Sequence, residues 1–160
     1  EVVQKVNNIR SDLPDDILKK LDLTICSVHS KFGLSKSKQT KRILKAMDNR
    51  YFTILGHPTG RMINEREPYE LDMEKIVKAA KDKGCFLEVN AHPDRLDLND
   101  IHCKVAKDMG VKVAISTDTH RIDDLDYMRF GVSQARRGWL EADDVINTRS
   151  LTELKKLLKR

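Results

Sequence analysis

The chain has 160 residues, 39% apolar and 34% charged, with 30 Lys plus Arg against 25 Asp plus Glu and a formal net charge of +5. That length suits one domain, and the apolar share is enough for a core, which argues against wholesale disorder. No stretch approaches the ~20 apolar residues of a membrane span and no secretory apolar segment opens the chain, so the expected location is the cytoplasm, away from membranes.

In chain order, Glu1 to Arg10 reads as a strand or an irregular lead-in. Asp12-Leu13-Pro14-Asp15-Asp16 reads as a helix start, with acids near the positive end of the dipole and Pro14 near the first turn, leading into a short helix over Ile17 to Leu21. Four apolar, β-rich runs follow: Leu21 to Val28, Tyr51 to Leu55, Cys85 to Val89 and Val111 to Ile115. Between them the spacing predicts helices. Gln39 to Met47 carries Ile43, Leu44 and Met47 on one side. Met73 to Lys83 aligns Met73, Ile76, Val77 and Ala80, and Asp100 to Met109 aligns Ile101, Val105 and Met109. Gly84 and Gly110 fall where left-handed helix caps belong. Arg136 to Leu140 reads as a loop and Glu141 to Ile146 as a helical turn. Ser150-Leu151-Thr152-Glu153 is a capping box opening a last helix, with Leu151, Leu154, Leu157 and Leu158 as its apolar face. A strand–helix rhythm of this kind predicts an α/β fold of parallel strands joined by crossover helices.

Charge is uneven along this path. Residues 31–50 hold seven basic residues against Asp48 alone, a window charge of +6, which leaves −1 for the other 140 residues. Such a patch suits an anionic partner such as a phosphate backbone, although a solvated helix face accounts for the charge equally well. The three cysteines, Cys26, Cys85 and Cys103, lack CxxC spacing and read as small core residues in a reducing compartment.

Each apolar run delivers a histidine at or just past its end: His29, His57, His92 and His120. In parallel α/β folds the strand C-termini gather on one side, where ligands bind. His102 falls in a helix instead. Asp118 and His120 stand two apart, so in extended chain they share a face. Aspartate with imidazole suits Zn²⁺ or Mn²⁺. Pro58 biases His57 toward extended backbone at the rim. Neither G-x-S-x-G nor a P-loop occurs. The leading chemistry is therefore metal-assisted hydrolysis by a metal-activated water, with no protein nucleophile.

Ser27-Val28-His29-Ser30, Gly56-His57-Pro58-Thr59-Gly60-Arg61, Arg95-Leu96-Asp97-Leu98, Ser116-Thr117-Asp118-Thr119-His120 and Ala135-Arg136-Arg137-Gly138-Trp139-Leu140 follow one another in order. Together, from about Asp12 onward, they closely resemble the C-terminal part of a PHP (polymerase and histidinol phosphatase) domain. The subgroup resembled is the one attached to bacterial and archaeal family X DNA polymerases. The resemblance implies the later part of a distorted (β/α)₇ barrel with a multinuclear Mn²⁺ or Zn²⁺ site at the strand ends. His29, His57, Asp118 and His120 match ligand positions of that family. Glu1, 28 positions before His29, matches the place of a glutamate ligand. The family's opening His-x-His and Thr-Asp-His motifs have no counterpart in this sequence. The chain therefore reads as a fragment, with a degraded copy as the other possibility.

The implied activity is a manganese-dependent 3′–5′ exonuclease or related DNA 3′-end processing, with a polymerase module in the full-length protein. Arg61 and Arg95 are candidate phosphate clamps, since a guanidinium meets phosphate through a two-pronged fork; salt bridges to Glu65 or Asp97 are their structural alternative. Arg136 and Arg137 are placed either on nucleic acid or in holding the C-terminal loop, and Trp139 is read as a packing anchor. Two further readings stand beside this one: a small-molecule phosphoesterase resembling histidinol phosphatase, and a non-catalytic remnant with an incomplete ligand set. Weak or absent activity is expected of the isolated 160 residues, because missing strands leave sheet edges and core open.

Overall fold

The computed structural model describes residues 2–7, 10–11 and 14–158. Six strands form one sheet: β1 (Val2–Asn7), β2 (Arg10–Ser11), β3 (Thr24–Ser27), β4 (Ile54–Leu55), β5 (Phe86–Asn90) and β6 (Val113–Ser116). Six α-helices accompany them: α1 (Asp15–Leu18), α2 (Lys36–Ala46), α3 (Met73–Lys83), α4 (Asp100–Asp108), α5 (Met128–Arg137) and α6 (Leu151–Leu157). The spatial order is β2-β1-β3-β4-β5-β6. Only β2 is antiparallel to its neighbour, and the other pairings are parallel. From β1 through β6 the parallel strands are laid down in chain order without reversal, so the described sheet has no switch point of the kind that splits a doubly wound fold.

Each predicted run forms a strand, shorter in three cases and, for β5, of equal length but shifted by one residue. In the second run, Tyr51 and Phe52 are consumed by a turn. Asn49 accepts Tyr51 N–H through its side chain at 2.8 Å and Phe52 N–H through its carbonyl at 3.0 Å. Only Ile54 and Leu55 are left to pair. The lead-in is settled in favour of a strand, β1. The short N-terminal helix begins earlier than predicted, right after Pro14, and is over by Leu18.

Helix α3 has the predicted bounds, with Asp72 accepting Lys75 N–H at its start and Gly84 at φ 64° closing it. The expected loop at Arg136 is corrected, because Arg136 and Arg137 form the last turn of α5. This helix is hard to read in sequence because it meets the sheet through glycine. A Cβ on Gly131 would lie 2.6 Å from Ile115 Cγ2 and 2.7 Å from Ala91 Cβ. The capping box at Ser150 forms as expected, but Leu151 is 68% exposed and drops out of the apolar face.

Helices cover one face of the sheet and the first part of the other, because the strands carry apolar residues on both faces there. Cys26, Leu55, Leu87, Val89, Val113 and Ile115 face α2, α3, α4 and α5 in the main core. The opposite face begins apolar, at Ile25, Ile54, Phe86 and Ala114, against which Leu154 and Leu157 of α6 and Leu158 just after it pack. Two residues further along each strand the same face turns polar, through Ser27, Gly56, Glu88, Asn90 and Ser116. All three cysteines are buried. Beyond β6, Val113 bridges to Val145, and the Asn147 side chain accepts Ile115 N–H at 3.1 Å while donating to Ile115 C=O at 2.8 Å. No helix among the described residues is long and apolar enough to cross a membrane.

Candidate functional site

The polar half of that face is the floor of a cavity of about 620 Å³. His29, His57, Arg95, Asp118 and His120 stand around it, over Ser27, Glu88, Asn90 and Ser116, with Leu125 on the rim. The strand ends thus bring together four of the five predicted ligands. Glu1 lies outside the described residues. His92 stays off the cavity, its ring against Tyr127 with centroids 5.1 Å apart. His102 sits in α4, half-buried, as expected.

Gly56 creates room for this floor. A Cβ there would come within 2.3 Å of Ser27 Oγ and 2.8 Å of Ile25 Cγ2. The expected extended backbone at His57 and at Asp118 is corrected: the chain bends sharply after Gly56, with His57 at φ 29°, and again after β6, with Asp118 at φ 54°. Left-handed backbone at a non-glycine residue costs on the order of 1–3 kcal/mol, so surrounding contacts must hold it. For His57 they are visible. Its N–H donates to Glu88 Oε2. Asp97 Oδ2 accepts Thr59 N–H and Gly60 N–H, both at 2.9 Å. The Tyr69 hydroxyl donates to Pro58 C=O at 2.7 Å.

The electrostatics follow from burial. His57 is 6% exposed, and its pKa falls to about 4, through burial first and then the neighbouring Arg95 and His29. It is therefore neutral near pH 7. Its Nδ1 is buried without a hydrogen-bond partner, and the His29 ring stands edge-on with centroids 5.0 Å apart. His120 Nδ1 lies 2.7 Å from Asp118 C=O. A carbonyl only accepts, so Nδ1 is the donor and Nε2 is left for another partner. Glu88 is pushed up to about 7, chiefly by burial and also by Asp118, against the pull of its hydrogen bonds. Arg95 Nε lies 3.4 Å from Asp118 Oδ2, and Arg95 Nη1 is buried without a partner.

Imidazole and carboxylate donors of this kind fit Mn²⁺ or Zn²⁺, and the unpartnered His57 nitrogen is a ready ligand atom. Their convergence is incomplete, because among the described residues no three His, Cys, Asp or Glu groups are grouped closely enough to hold one ion. Asp118 is turned toward Arg95 and Asn90 instead, with Asn90 Nδ2 at 3.1 Å.

Of the two predicted phosphate clamps, only Arg95 reaches the cavity. Arg61 is turned away. Its Nε donates to Arg95 C=O at 2.6 Å and an Nη donates to Leu96 C=O, so it braces the loop that carries Arg95. The basic window is also divided. Lys31, Lys36, Lys38, Lys41, Lys45 and Arg50 are exposed. Arg42 is 5% exposed and donates to Ser30 C=O at 2.8 Å, holding the loop after His29. Arg137 pairs with Asp100 at 2.8 Å. Trp139 is corrected from packing anchor to surface residue at 66% exposure, because Gly138 takes the close contact with Cys103 and Asp100. Glu88 and Asn90 were not among the predicted site residues. Their signal was an acid and an amide at alternate positions of an otherwise apolar strand, where charge is rare unless satisfied.

No family model matches the chain. It is 42% identical over 149 residues to the DNA polymerase/3′-5′ exonuclease PolX of Bacillus subtilis, covering 93% of this chain and 26% of that protein. It is 36% identical over 157 residues to a probable phosphatase of Thermoanaerobacter sp., covering 92% of this chain and 61% of that one. A probable phosphatase of Caldanaerobacter subterraneus is 38% identical over 120 residues, 69% of this chain and 45% of its own length. The chain thus spans about a quarter of the polymerase relative and about three-fifths of the Thermoanaerobacter phosphatase.

Proposed function

We propose that this chain is part of a PHP-type phosphoesterase domain, attached in its full-length protein to a family X polymerase module, and that it serves 3′–5′ exonuclease or 3′-end-processing chemistry on DNA in the cytoplasm. The observation that carries this reading is the gathering of His29, His57, Asp118 and His120, from three strand ends, around one cavity with Arg95. The similarity to PolX over most of the chain supports it. The strand order, with crossover helices on one face, supports the later part of a distorted (β/α)₇ barrel.

His29, His57, Asp118 and His120, with Glu1 as a fifth donor, would hold Mn²⁺ or Zn²⁺. A divalent cation there supplies an acidified water and an electrophile for a phosphate oxygen. The chain's own residues do the rest. Burial keeps His57 neutral, which is the form that binds metal, and His120 turns Nδ1 to Asp118 C=O, leaving Nε2 for another partner. Arg95 offers its unpartnered Nη1 to a phosphate oxygen, while Arg61 keeps the Arg95 loop in place. The exposed lysines after His29 lie where an incoming strand meets positive charge.

The reading is tested on the natural full-length protein with a 3′-labelled oligonucleotide and Mn²⁺. Asp118→Ala and His57→Ala should each lower exonuclease activity at least ~100-fold and reduce bound metal. Hydrolysis of histidinol phosphate without attack on the DNA end would favour the small-molecule phosphoesterase, a reading supported by the larger share of the phosphatase relatives that the chain covers. Less than one divalent ion per chain, unchanged by either substitution, would sink the metal site.

A further inference from the structure

We infer that Glu88 and Asn90 are positioning residues that tie His57 to Asp118 across the sheet, so that the donors on two different strands hold their places together. The inference rests on the proposed reading in one respect, that His57 and Asp118 are the donors being held.

Strand β5 lies between β4 and β6. Glu88 and Asn90 stand two apart on it and so share the cavity face. They are 5% and 1% exposed. Glu88 Oε2 accepts the backbone N–H of His57, which follows β4. Its Oε1 accepts the hydroxyl of Ser116, the last residue of β6. The orientation of the Asn90 amide is fixed by a partner that can only donate, because His92 N–H approaches Asn90 Oδ1 at 3.0 Å. Asn90 Nδ2 therefore faces the acids, at 3.1 Å from Asp118 Oδ2 and 3.4 Å from Glu88 Oε2. Its two N–H groups are shared between two carboxylates, which would otherwise repel across a buried floor.

The run from His57 N–H through Glu88 and Asn90 to Asp118 is directional at each link. A purely structural filler has no need of this. A buried carboxylate is costly beside an aliphatic side chain of equal volume, so packing alone gives no reason for it. Neither residue is itself one of the proposed metal ligands, while His57 and Asp118 are. Each acts by fixing the backbone or carboxylate of a residue that is.

The test has a metal-free arm and a metal arm, both on the natural full-length protein. Ring-nitrogen NMR of the histidines is recorded for Asn90→Ala and for Val89→Ala, a control on the opposite face of the same strand. Asn90→Ala should shift the His57 ring, with which it makes no hydrogen bond, while Val89→Ala leaves that ring in place. An unmoved His57 ring in Asn90→Ala overturns the inference whether or not metal binds. Should Asn90→Ala fail to fold, Ser116→Ala removes a single hydroxyl from Glu88 and is read the same way.

In the metal arm, Glu88→Gln keeps an acceptor for His57 N–H and should retain Mn²⁺ affinity within about threefold. Glu88→Met keeps the volume but no acceptor, and should weaken Mn²⁺ binding at least ~10-fold. Equal loss in Glu88→Met and Val89→Ala would make Glu88 merely structural and overturn the inference. A wild-type chain that takes up no Mn²⁺ would count against the metal reading alone, and the ring shifts would still decide the network.

Discussion

Asp97 carries the loop that carries His57, and it does so as a carboxyl buried to the limit, at 0% exposure. Burial raises its pKa to about 6 from 3.8, against the pull of the Thr59 and Gly60 N–H groups and Arg61. Between those two values the folded chain holds more protons than the unfolded one. Stability therefore falls as pH rises through this window, and the loss is complete above about pH 6. The sum is on the order of 2–3 kcal/mol. Asp97→Asn keeps an oxygen for both N–H groups and has no proton to lose. Urea unfolding at pH 4 and pH 7.5 should show a difference smaller by about that amount in the variant, and equal differences would contradict the assignment. Gly56 makes a second case at this scale. Gly56→Ala forces a methyl against Ser27 and Ile25 and should cost ~1–3 kcal/mol. Gly33→Ala, with nothing within 4 Å of its Cβ, should cost nothing. At this scale the sequence was legible wherever a strand end fixed the position, as for His57 and Asp118 around the cavity. It was silent on Arg61, because the same guanidinium serves a phosphate or a pair of loop carbonyls, and only the fold decides between them.

Among the elements, those with strong local signals are where periodicity places them. Helix α3 has a capping aspartate, an aligned apolar face and a left-handed glycine, three independent cues that agree. Helix α5 has neither a capping side chain nor a left-handed glycine at its end. Its approach to the sheet depends on the missing side chain of Gly131, and hydrophobic spacing cannot register a missing side chain. Strand β6 holds a similar surprise, because the Asn147 side chain lies beside its outer edge and meets both backbone groups of Ile115. Asn147→Ala should leave both without that partner and lower stability by ~1–3 kcal/mol in denaturant unfolding. It should also promote self-association in sedimentation, since a bare edge invites another strand. A monomer of unchanged stability would show that water replaces the amide without cost.

For the whole molecule, the net charge acquires a direction once Arg42 is subtracted from it. The guanidinium of Arg42 is spent inside the fold, and the lysines of the same window remain on the surface. If a single DNA strand lies along them, log affinity should fall linearly with log salt. Replacing Lys36, Lys38 and Lys41 by Gln should then reduce the slope by up to ~2, about 0.7 for each phosphate no longer neutralised. Fluorescence anisotropy at low and at roughly physiological salt measures this, and an unchanged slope would move the DNA path elsewhere. Composition showed the excess charge but could not tell a helix face turned outward from one cation folded in.

The face of the sheet that changes from leucine-covered to polar has one more consequence, and it concerns how water reaches the backbone. Leu154, Leu157 and Leu158 close the side where the strands begin, and the cavity opens the side where they end. The cavity is therefore the door through which solvent meets the strand ends. In deuterium oxide, amide protons of β3, β5 and β6 should exchange in a gradient, fastest at Ser27, Asn90 and Ser116 and slowest at Ile25, Phe86 and Ala114. A ligand seated in the cavity should flatten that gradient by shutting the door, which makes exchange along the strands a readout of occupancy that requires no assay of catalysis.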